Sequence, residues 1–195
     1  MGNSYRGDSI QKNAVRLMAY GSMSRFDFYH KKHIVVAGTG GDIRALTALD
    51  VPAANIIACD KQVGYRALAT RLGATVPPGV IGRDIVKTVQ WAIATYGIDA
   101  IGSVNVDLCL SLIKGAPILD NSLTYLPEGL PVFFTFLCGH DPGLAKRPGE
   151  ENPGSNRLNY FRKNVNTDHS RVSFYPYQSW DKVSEGSPMC LAICR

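Results

Sequence analysis

The sequence has no long apolar run, and no stretch approaches the roughly 20 residues that cross a bilayer. Residues 1–24 are polar and charged, without the continuous apolar core of a secretory signal. Arg6 stands where a myristoylation pattern needs serine or threonine. None of the five cysteines forms a C-x-x-C pair, which argues against a zinc site or a disulfide framework. These absences predict a soluble, cytoplasmic protein with reduced thiols and no metal.

Charge is also scarce, and it is unevenly distributed. Charged residues make up 19% of the 195-residue chain, and the formal net charge is +5. Residues 1–34 carry six Lys or Arg against two Asp or Glu, and residues 141–195 carry eight against six. Residues 35–140 carry seven against eight. A positive excess at both ends would suit an anionic partner such as DNA or RNA, and it is equally typical of a mildly basic solvated surface.

Hydrophobic periodicity predicts strands and helices in alternation. Helices are expected at 9–20, 43–49, 63–72, 85–96 and 108–114, and strands at 33–37, 55–59, 74–76, 100–106 and 131–137. The first helix has its apolar residues, Ile10, Ala14, Leu17 and Met18, at helical spacing. This rhythm is typical of parallel βαβ units in a three-layer, doubly wound α/β fold. We therefore expect one domain over 1–195, with a helical extension at 1–32.

The end of the chain breaks this rhythm. Residues 139–170 are polar, rich in Gly, Pro and Asn, and too long for an ordinary connection. A helix is expected within them only at 156–164. Two strands follow at 172–177 and 189–194 without a crossover helix, so they must pair as an antiparallel hairpin. We expect residues 139–170 to form a loop on the substrate side.

A glycine-rich turn and an acid mark the candidate binding site. The first strand runs into Gly38-Thr39-Gly40-Gly41-Asp42, and the second ends at Asp60, 20 positions after Gly40. Glycines let the backbone turn tightly against a ligand, and an acid at the second strand tip can accept hydrogen bonds from ribose hydroxyls. Turn, topology and acid together predict a nucleoside-binding site. Asp60 could instead only cap the helix that follows.

Two common nucleotide motifs are missing. A dinucleotide fingerprint needs glycine at position 43, where this chain has Ile43. No Gly-Lys-Ser/Thr follows the turn, which excludes a P-loop. Asp42 at the start of the helix suits an ammonium-bearing ligand better than phosphates.

At these residues the chain resembles the class I S-adenosylmethionine-dependent methyltransferases. The segment 35–42 is similar to the family's first motif, 82–85 to its third, and 103–108 to its fourth. The resemblance covers about residues 30–195 and implies S-adenosylmethionine as cofactor. It implies cofactor-binding roles for seven residues: Gly38, Thr39, Gly40, Asp60, Lys61, Asp84 and Asn105.

The sequence also departs from the family's patterns. The acid common just before the first glycine is absent, since Ala37 stands there. Asn105-Val106-Asp107-Leu108 has neither the prolines nor the aromatic residue of amino-methylating DNA enzymes, and no Pro-Cys nucleophile exists for cytosine C5 chemistry. Catalysis would then depend on the cofactor's electrophilic methyl, with the protein supplying proximity and alignment.

Two residues are candidates for catalysis. Asp107 follows a central strand where ligands of open α/β sheets bind, although it could simply cap the next helix. His140 follows the strand at 131–137 and has an ordinary pKa near neutrality, although its Gly-His-Asp-Pro-Gly setting is also typical of a turn. Arg157, Tyr160 and Arg162 could bind nucleic acid or form one face of an amphipathic helix.

The leading hypothesis is a methyltransferase that uses S-adenosylmethionine, with nucleic acid as the first candidate acceptor. A non-catalytic accessory protein that binds S-adenosylmethionine or a nucleotide with the same fold is the alternative, because no acceptor-side motif is present. A nicotinamide-dependent oxidoreductase is a third reading, and Ile43 argues against it.

Overall fold

The computed structural model describes residues 10–23, 28–127, 129–137, 160, 163–165, 172–178 and 188–194, without the side chains of 108–111, 137, 172–178 and 188–190. Six strands form one sheet: β1 (Lys32–Val36), β2 (Ile56–Cys59), β3 (Ile101–Ser111), β4 (Val132–Leu137), β5 (Val172–Gln178) and β6 (Pro188–Cys194). The helices are α1 (Ile10–Gly21), α2 (Gly41–Ala48), α3 (Tyr65–Arg71), α4 (Ile85–Tyr96) and α5 (Leu112–Leu123). Within the described residues, no helix is both long and apolar enough to cross a membrane.

The sheet has the order β2-β1-β3-β4-β6-β5. The pairs β1–β2, β1–β3 and β3–β4 are parallel, whereas β6 runs antiparallel to both β4 and β5. This confirms the predicted parallel sheet with an antiparallel C-terminal hairpin. The strand order reverses direction at β1, which places the carboxyl ends of β1 and β3 at a switch point, where open α/β sheets bind ligands.

Alternation along the strands divides the core between two faces. On one face Ile34 and Val104 pack with buried residues of α4 and α5 such as Val89. On the other face Val35 and Ala58 pack with buried residues of α1, α2 and α3. Because successive side chains of a strand point to opposite faces, a sheet buried on both sides needs nearly continuous apolar strands. The three-layer architecture expected from the sequence is confirmed.

The third strand and the helix after it differ from the prediction. Residues 108–111, expected to begin a helix, continue β3 and pair with β4 after an irregularity between Asp107 and Leu110. The helix begins only at Leu112. The run Leu108-Cys109-Leu110 fits a buried strand as well as a helix, and only the pairing with β4 decides between them. The short strand expected at 74–76 is reduced to a single bridge between Thr75 and Ile57.

The first helix exposes the apolar residues that predicted it. Ile10, Leu17 and Met18 are exposed, while Arg16 and Tyr20 are buried. The predicted helix is confirmed, but the face that packs against the rest of the protein carries polar as well as apolar side chains. Those polar groups meet the switch point of the sheet.

His33 connects β1 to the segment before it and is fully buried. Its Nδ1 lies 2.8 Å from Ser103 Oγ and its Nε2 lies 2.9 Å from the carbonyl oxygen of Phe28. Burial lowers the pKa of His33 to about 4. The positive charge of Lys31 also lowers this pKa, whereas the hydrogen bond to Phe28 raises it. The neutral imidazole is therefore the form that the folded protein holds.

Acid is expected to destabilise the fold through His33. The unfolded chain, with a pKa near 6.5, binds the proton more tightly than the folded chain, so this contribution is complete above pH 6.5 and is lost as pH falls toward 4. Between pH 7 and 5 the loss is about 2 kcal/mol. Urea unfolding at both pH values measures it. His33→Gln cannot titrate and should show a smaller loss, so an equal loss in the variant would assign the effect to other groups.

Candidate functional site

A cleft opens at the carboxyl ends of β1, β2 and β3. Its volume is about 380 Å³, within the range of small-molecule sites. Val36, Cys59 and Ile118 supply apolar lining. The cleft also brings together four of the residues expected from the sequence, which are Asp60, Lys61, Asp84 and Asp107. These residues come from three separate segments of chain, so their convergence is a property of the fold.

Asp60 connects the floor of this cleft to the glycine turn. Its Oδ2 accepts a hydrogen bond from the backbone N–H of Gly38 at 2.9 Å, and its Oδ1 accepts one from the N–H of Gln62 at 2.9 Å. The side chain is nearly buried. An ionised carboxylate has about four lone-pair sites, so these two bonds leave acceptor capacity for a ligand. The capping interpretation is wrong, because α3 begins at Tyr65 with Gly64 as its N-cap. The bond to Gln62 belongs to the turn before that helix.

Two glycines of the turn have left-handed backbone conformations. Gly38 has φ +47° and Gly40 has φ +84°. The Gly40 N–H donates to the carbonyl oxygen of Ala37 at 2.6 Å. The Arg44 guanidinium donates to the carbonyl oxygen of Thr39 at 2.8 Å. A Cβ on Gly38 would meet no atom of the described residues within 4 Å, whereas one on Gly40 would lie 2.8 Å from Leu72 Cδ1. Gly40 therefore fixes the turn, and Gly38 borders open space.

Gly40→Ala is expected to destabilise the protein by about 1–2 kcal/mol, because alanine is strained at positive φ and its Cβ would meet Leu72. Thermal unfolding measures the change. Gly64→Ala is the matched control, since Gly64 has φ −66° and open space around it, and it should leave stability equal or slightly higher. Equal effects of the two substitutions would contradict the assigned geometry.

Asp84 lies on the rim of the cleft and also begins α4. Its Oδ1 accepts hydrogen bonds from the N–H groups of Val86 at 2.9 Å and Lys87 at 3.2 Å. The side chain is exposed. Both interpretations of Asp84 therefore apply at once, since it caps the helix and faces the cleft beside Lys61 and Arg83.

Beside the cleft, four charged side chains form an ion-pair cluster at the junction of α1, α2 and β3. Lys12 Nζ lies 2.8 Å from Asp107 Oδ2. Arg16 Nη2 lies 3.0 Å from Asp42 Oδ2 and 3.3 Å from Asp107 Oδ2. Burial raises the pKa of Asp42 despite the opposing charge of Arg16. Asp42, which the sequence suggested would face an ammonium group of a ligand, thus faces the guanidinium of Arg16 from α1.

Asn105 is held behind this cluster. Its Nδ2 donates to Asp42 Oδ1 at 2.6 Å and to Tyr20 Oη at 2.9 Å, and the Tyr20 hydroxyl donates to Asp42 Oδ1 at 3.0 Å. Burial raises the pKa of Tyr20 well above its ordinary value. Asn105 borders a gap of only about 10 Å³ under α1 and is not part of the cleft lining. The structure therefore separates Asn105 from Asp60, Lys61 and Asp84. The residues that line the cleft do not include the turn at 38–40 either.

The remaining expectations fall differently. Asp107 borders the cleft on one side and the ion-pair cluster on the other. His140 lies outside the described residues. Cys59 and Cys194 are free, buried thiols, and burial raises the pKa of each to about 12. Within the part of the chain that is described, no three His, Cys, Asp or Glu side chains are placed so that they could hold one metal ion.

Sequence reasoning missed Lys12, Arg16 and Tyr20. The three residues are four positions apart, a spacing that places them on one face of a helix. The signal was therefore present. The apolar residues on another face of the same helix indicated that this other face would be buried, but the structure leaves it exposed.

No family model matches the sequence, and no curated protein matches it significantly. Solved structures do match. An O-methyltransferase from Bacillus cereus, in complex with S-adenosylhomocysteine, is 10% identical with a TM-score of 0.55, covering 98% of this chain and 84% of that one. A putative S-adenosylmethionine-dependent methyltransferase from Streptococcus mutans is 12% identical with a TM-score of 0.58, covering 93% of this chain and 48% of that one.

A third match is a plantazolicin methyltransferase, solved with a substrate analogue and S-adenosylhomocysteine. It is 13% identical with a TM-score of 0.50, covering 94% of this chain and 84% of that one. Identities this low establish architecture and no more. The sheet order, the antiparallel hairpin and these neighbours agree: the chain has the fold of the class I S-adenosylmethionine-dependent methyltransferases.

Proposed function

We propose that this protein binds S-adenosylmethionine in the cleft and transfers its methyl group to an acceptor. The observation that supports this most directly is the carboxylate of Asp60, which lies in the cleft and hydrogen-bonds the glycine turn at Gly38. A fold alone does not imply an activity, and it is the chemistry of this site that supports one. The solved neighbours that contain S-adenosylhomocysteine add support at the level of fold.

The residues present fit such a cofactor. Asp60 would accept hydrogen bonds from the ribose hydroxyls, and Lys61 and Asp84 would flank the base on the cleft rim. Gly38 would let the ligand approach the backbone, because no atom of the part of the chain that is described lies within 4 Å of where its Cβ would be. The cofactor would supply an activated methyl group. This chain would supply orientation and exclusion of water.

A nicotinamide cofactor fits less well. The glycine at the third fingerprint position normally allows the helix to approach the strand closely around a pyrophosphate. Here Ile43, in the first turn of α2, is buried in the core between that helix and the sheet. Titration calorimetry with S-adenosylmethionine, S-adenosylhomocysteine and NAD tests this assignment. Binding of the first two and not NAD is expected, and binding of NAD alone would reverse it.

DNA or RNA is the first acceptor to test, although the fold already engages part of the positive charge of residues 1–34. Of the basic residues in 1–34, Lys12 and Arg16 are held in the ion-pair cluster. Lys32 starts β1 at the opposite edge of the sheet, where it donates to Asn55 at 2.9 Å and lies over the Tyr96 ring. Transfer of a labelled methyl to DNA, RNA and small-molecule extract would identify the acceptor class.

The accessory alternative has one specific observation in its favour. Asp107, one of the two candidate catalytic residues, already forms ion pairs with Lys12 and Arg16, so its carboxylate is engaged within the protein. Binding of S-adenosylmethionine without methyl transfer to any acceptor would favour this alternative. Methyl transfer would reject it and leave the roles of Asp107 and His140 to be tested by substitution.

A further inference from the structure

The ion-pair cluster joins α1 to α2, which follows the glycine turn, and to β3, which borders the cleft at Asp107. We call the part of the cleft beside Asp107 its reacting end. Asp42 belongs to the first turn of α2, and Asp107 lies where β3 becomes irregular. Their side chains are 1% and 8% exposed, and those of Arg16 and Lys12 are 9% and 12% exposed. Two buried carboxylates thus face two cations carried by one short helix.

Asp107 belongs to both the cleft and the cluster. It borders the cleft together with Asp60 and Asp84, and it also receives Lys12 and Arg16 from the opposite side. A positive charge placed in the cleft near Asp107 would therefore compete with the cations of α1 for the same carboxylate. Such competition is strong because these groups are poorly hydrated.

The space under α1 is closed in this arrangement. The gap bordered by Asn105, Thr135 and Tyr20 has a volume of about 10 Å³, close to that of one water. No acceptor molecule can reach Asn105 from this side while α1 is in place. Asn105 Oδ1 is buried and receives no hydrogen bond from the described residues, so the closed arrangement leaves a polar group unsatisfied.

We propose that α1 is a displaceable cover over the reacting end of the cleft, and that a cationic ligand releases it by competing with Lys12 and Arg16 for Asp107. This inference rests on the proposed function, because S-adenosylmethionine carries a sulfonium charge that S-adenosylhomocysteine lacks. A ligand shifts a conformational equilibrium only through a difference in affinity for the two states. The charge of the methyl donor supplies that difference, so α1 opens with the donor and closes again with the product.

Hydrogen exchange of the α1 amides tests the cover directly. Saturating S-adenosylmethionine should raise exchange across α1 several-fold, whereas saturating S-adenosylhomocysteine should leave it near the level of the free protein. The β1 amides serve as internal reference. Calorimetry on the same samples establishes that both ligands are bound.

Lys12→Met tests the cluster without ligand. Methionine keeps the apolar part of the side chain and removes the charge, so exchange across α1 should rise roughly tenfold. Lys114→Met, on the exposed surface of α5, is the matched control and should leave α1 unchanged. Should Lys12→Met fail to fold, Lys12→Gln and the comparison of the two ligands on the unmodified protein carry the test.

The outcomes separate the two proposals. If both ligands bind and the α1 amides exchange at the same rate with each, the proposal that α1 is a displaceable cover is wrong, while the proposed function stands. Wild-type exchange in Lys12→Met would also refute the cover, whatever binds in the cleft. If neither ligand binds, the proposed function fails, and ligand-driven release fails with it.

Discussion

Asp60→Ala is expected to weaken binding of S-adenosylmethionine by about 1–3 kcal/mol, or roughly five- to 150-fold in Kd. The substitution removes the carboxylate that would accept hydrogen bonds from the ribose, and it also frees the N–H of Gly38. Both changes lower the affinity for the ligand, the first by removing a contact and the second by loosening the turn beside it. Titration calorimetry measures the change, and S-adenosylhomocysteine should be affected to a similar extent because the ribose is common to both ligands.

Two further variants make this result specific. Asp60→Asn keeps one acceptor oxygen for the N–H of Gly38, so its affinity should fall between those of the wild type and Asp60→Ala. Asp99→Ala removes an exposed carboxylate before β3, at the edge of the sheet opposite the cleft, and should leave Kd unchanged. Thermal unfolding of each variant monitors the fold. Unchanged affinity in folded Asp60→Ala would show that the ribose assignment is wrong.

The sequence predicted the layered fold because its signals are local and agree with one another. The apolar stretch before Gly38 and the one before Asp60 are both short, β-branched and followed by turn residues. Each reappears as a parallel strand. Alternation of strand and helix leaves little freedom in how such units pack. The antiparallel hairpin could be predicted for a similar reason, since no helix separates its strands.

The end of β3 could not be predicted in this way. An acid at position 107 followed by apolar residues indicates the end of a strand and the start of a helix, which is the prediction the sequence produced. In the structure the strand continues to Ser111 because residues 110 and 111 pair with β4. Pairing partners far apart in sequence are invisible to a local pattern. Tertiary contacts override intrinsic propensity here.

The sequence predicted residues of the cleft but did not predict the ion-pair cluster beside it. Asp60 could be placed at this edge of the sheet from the order of strands, whereas Lys61 and Asp84 were implied by the resemblance to the methyltransferase motifs. The cluster under α1 depends on which face of a helix is buried, and the apolar stripe of α1 indicated the wrong face. Only the docked position of α1 shows that Arg16 reaches Asp42, 26 positions later in the chain.

Arg16→Met is expected to cause the largest loss of stability, about 3–5 kcal/mol, because it leaves Asp42 and Asp107 buried with less compensating charge. The loss should depend on pH. Asp42 already has a raised pKa, and removing Arg16 raises it further, so the folded variant binds a proton more tightly than the unfolded chain. The variant therefore gains stability as pH falls through that pKa, and its deficit should be smaller at pH 5 than at pH 8.

Urea unfolding of a double-mutant cycle separates the ion pair from simple loss of packing. Asp42→Asn keeps an acceptor for Tyr20 and Asn105 while removing the charge. If the pair is what matters, Arg16→Met should cost much less in the Asp42→Asn background than in the wild type. The remaining cost should vary less between pH 5 and 8, because only Asp107 then loses a cation. Additive effects at both pH values would instead mean that Arg16 does not act through Asp42, and that it stabilises the protein through Asp107 or through the apolar part of its side chain. The docking of α1 would then depend more on Tyr20, whose ring lies 4.8 Å from that of Phe133.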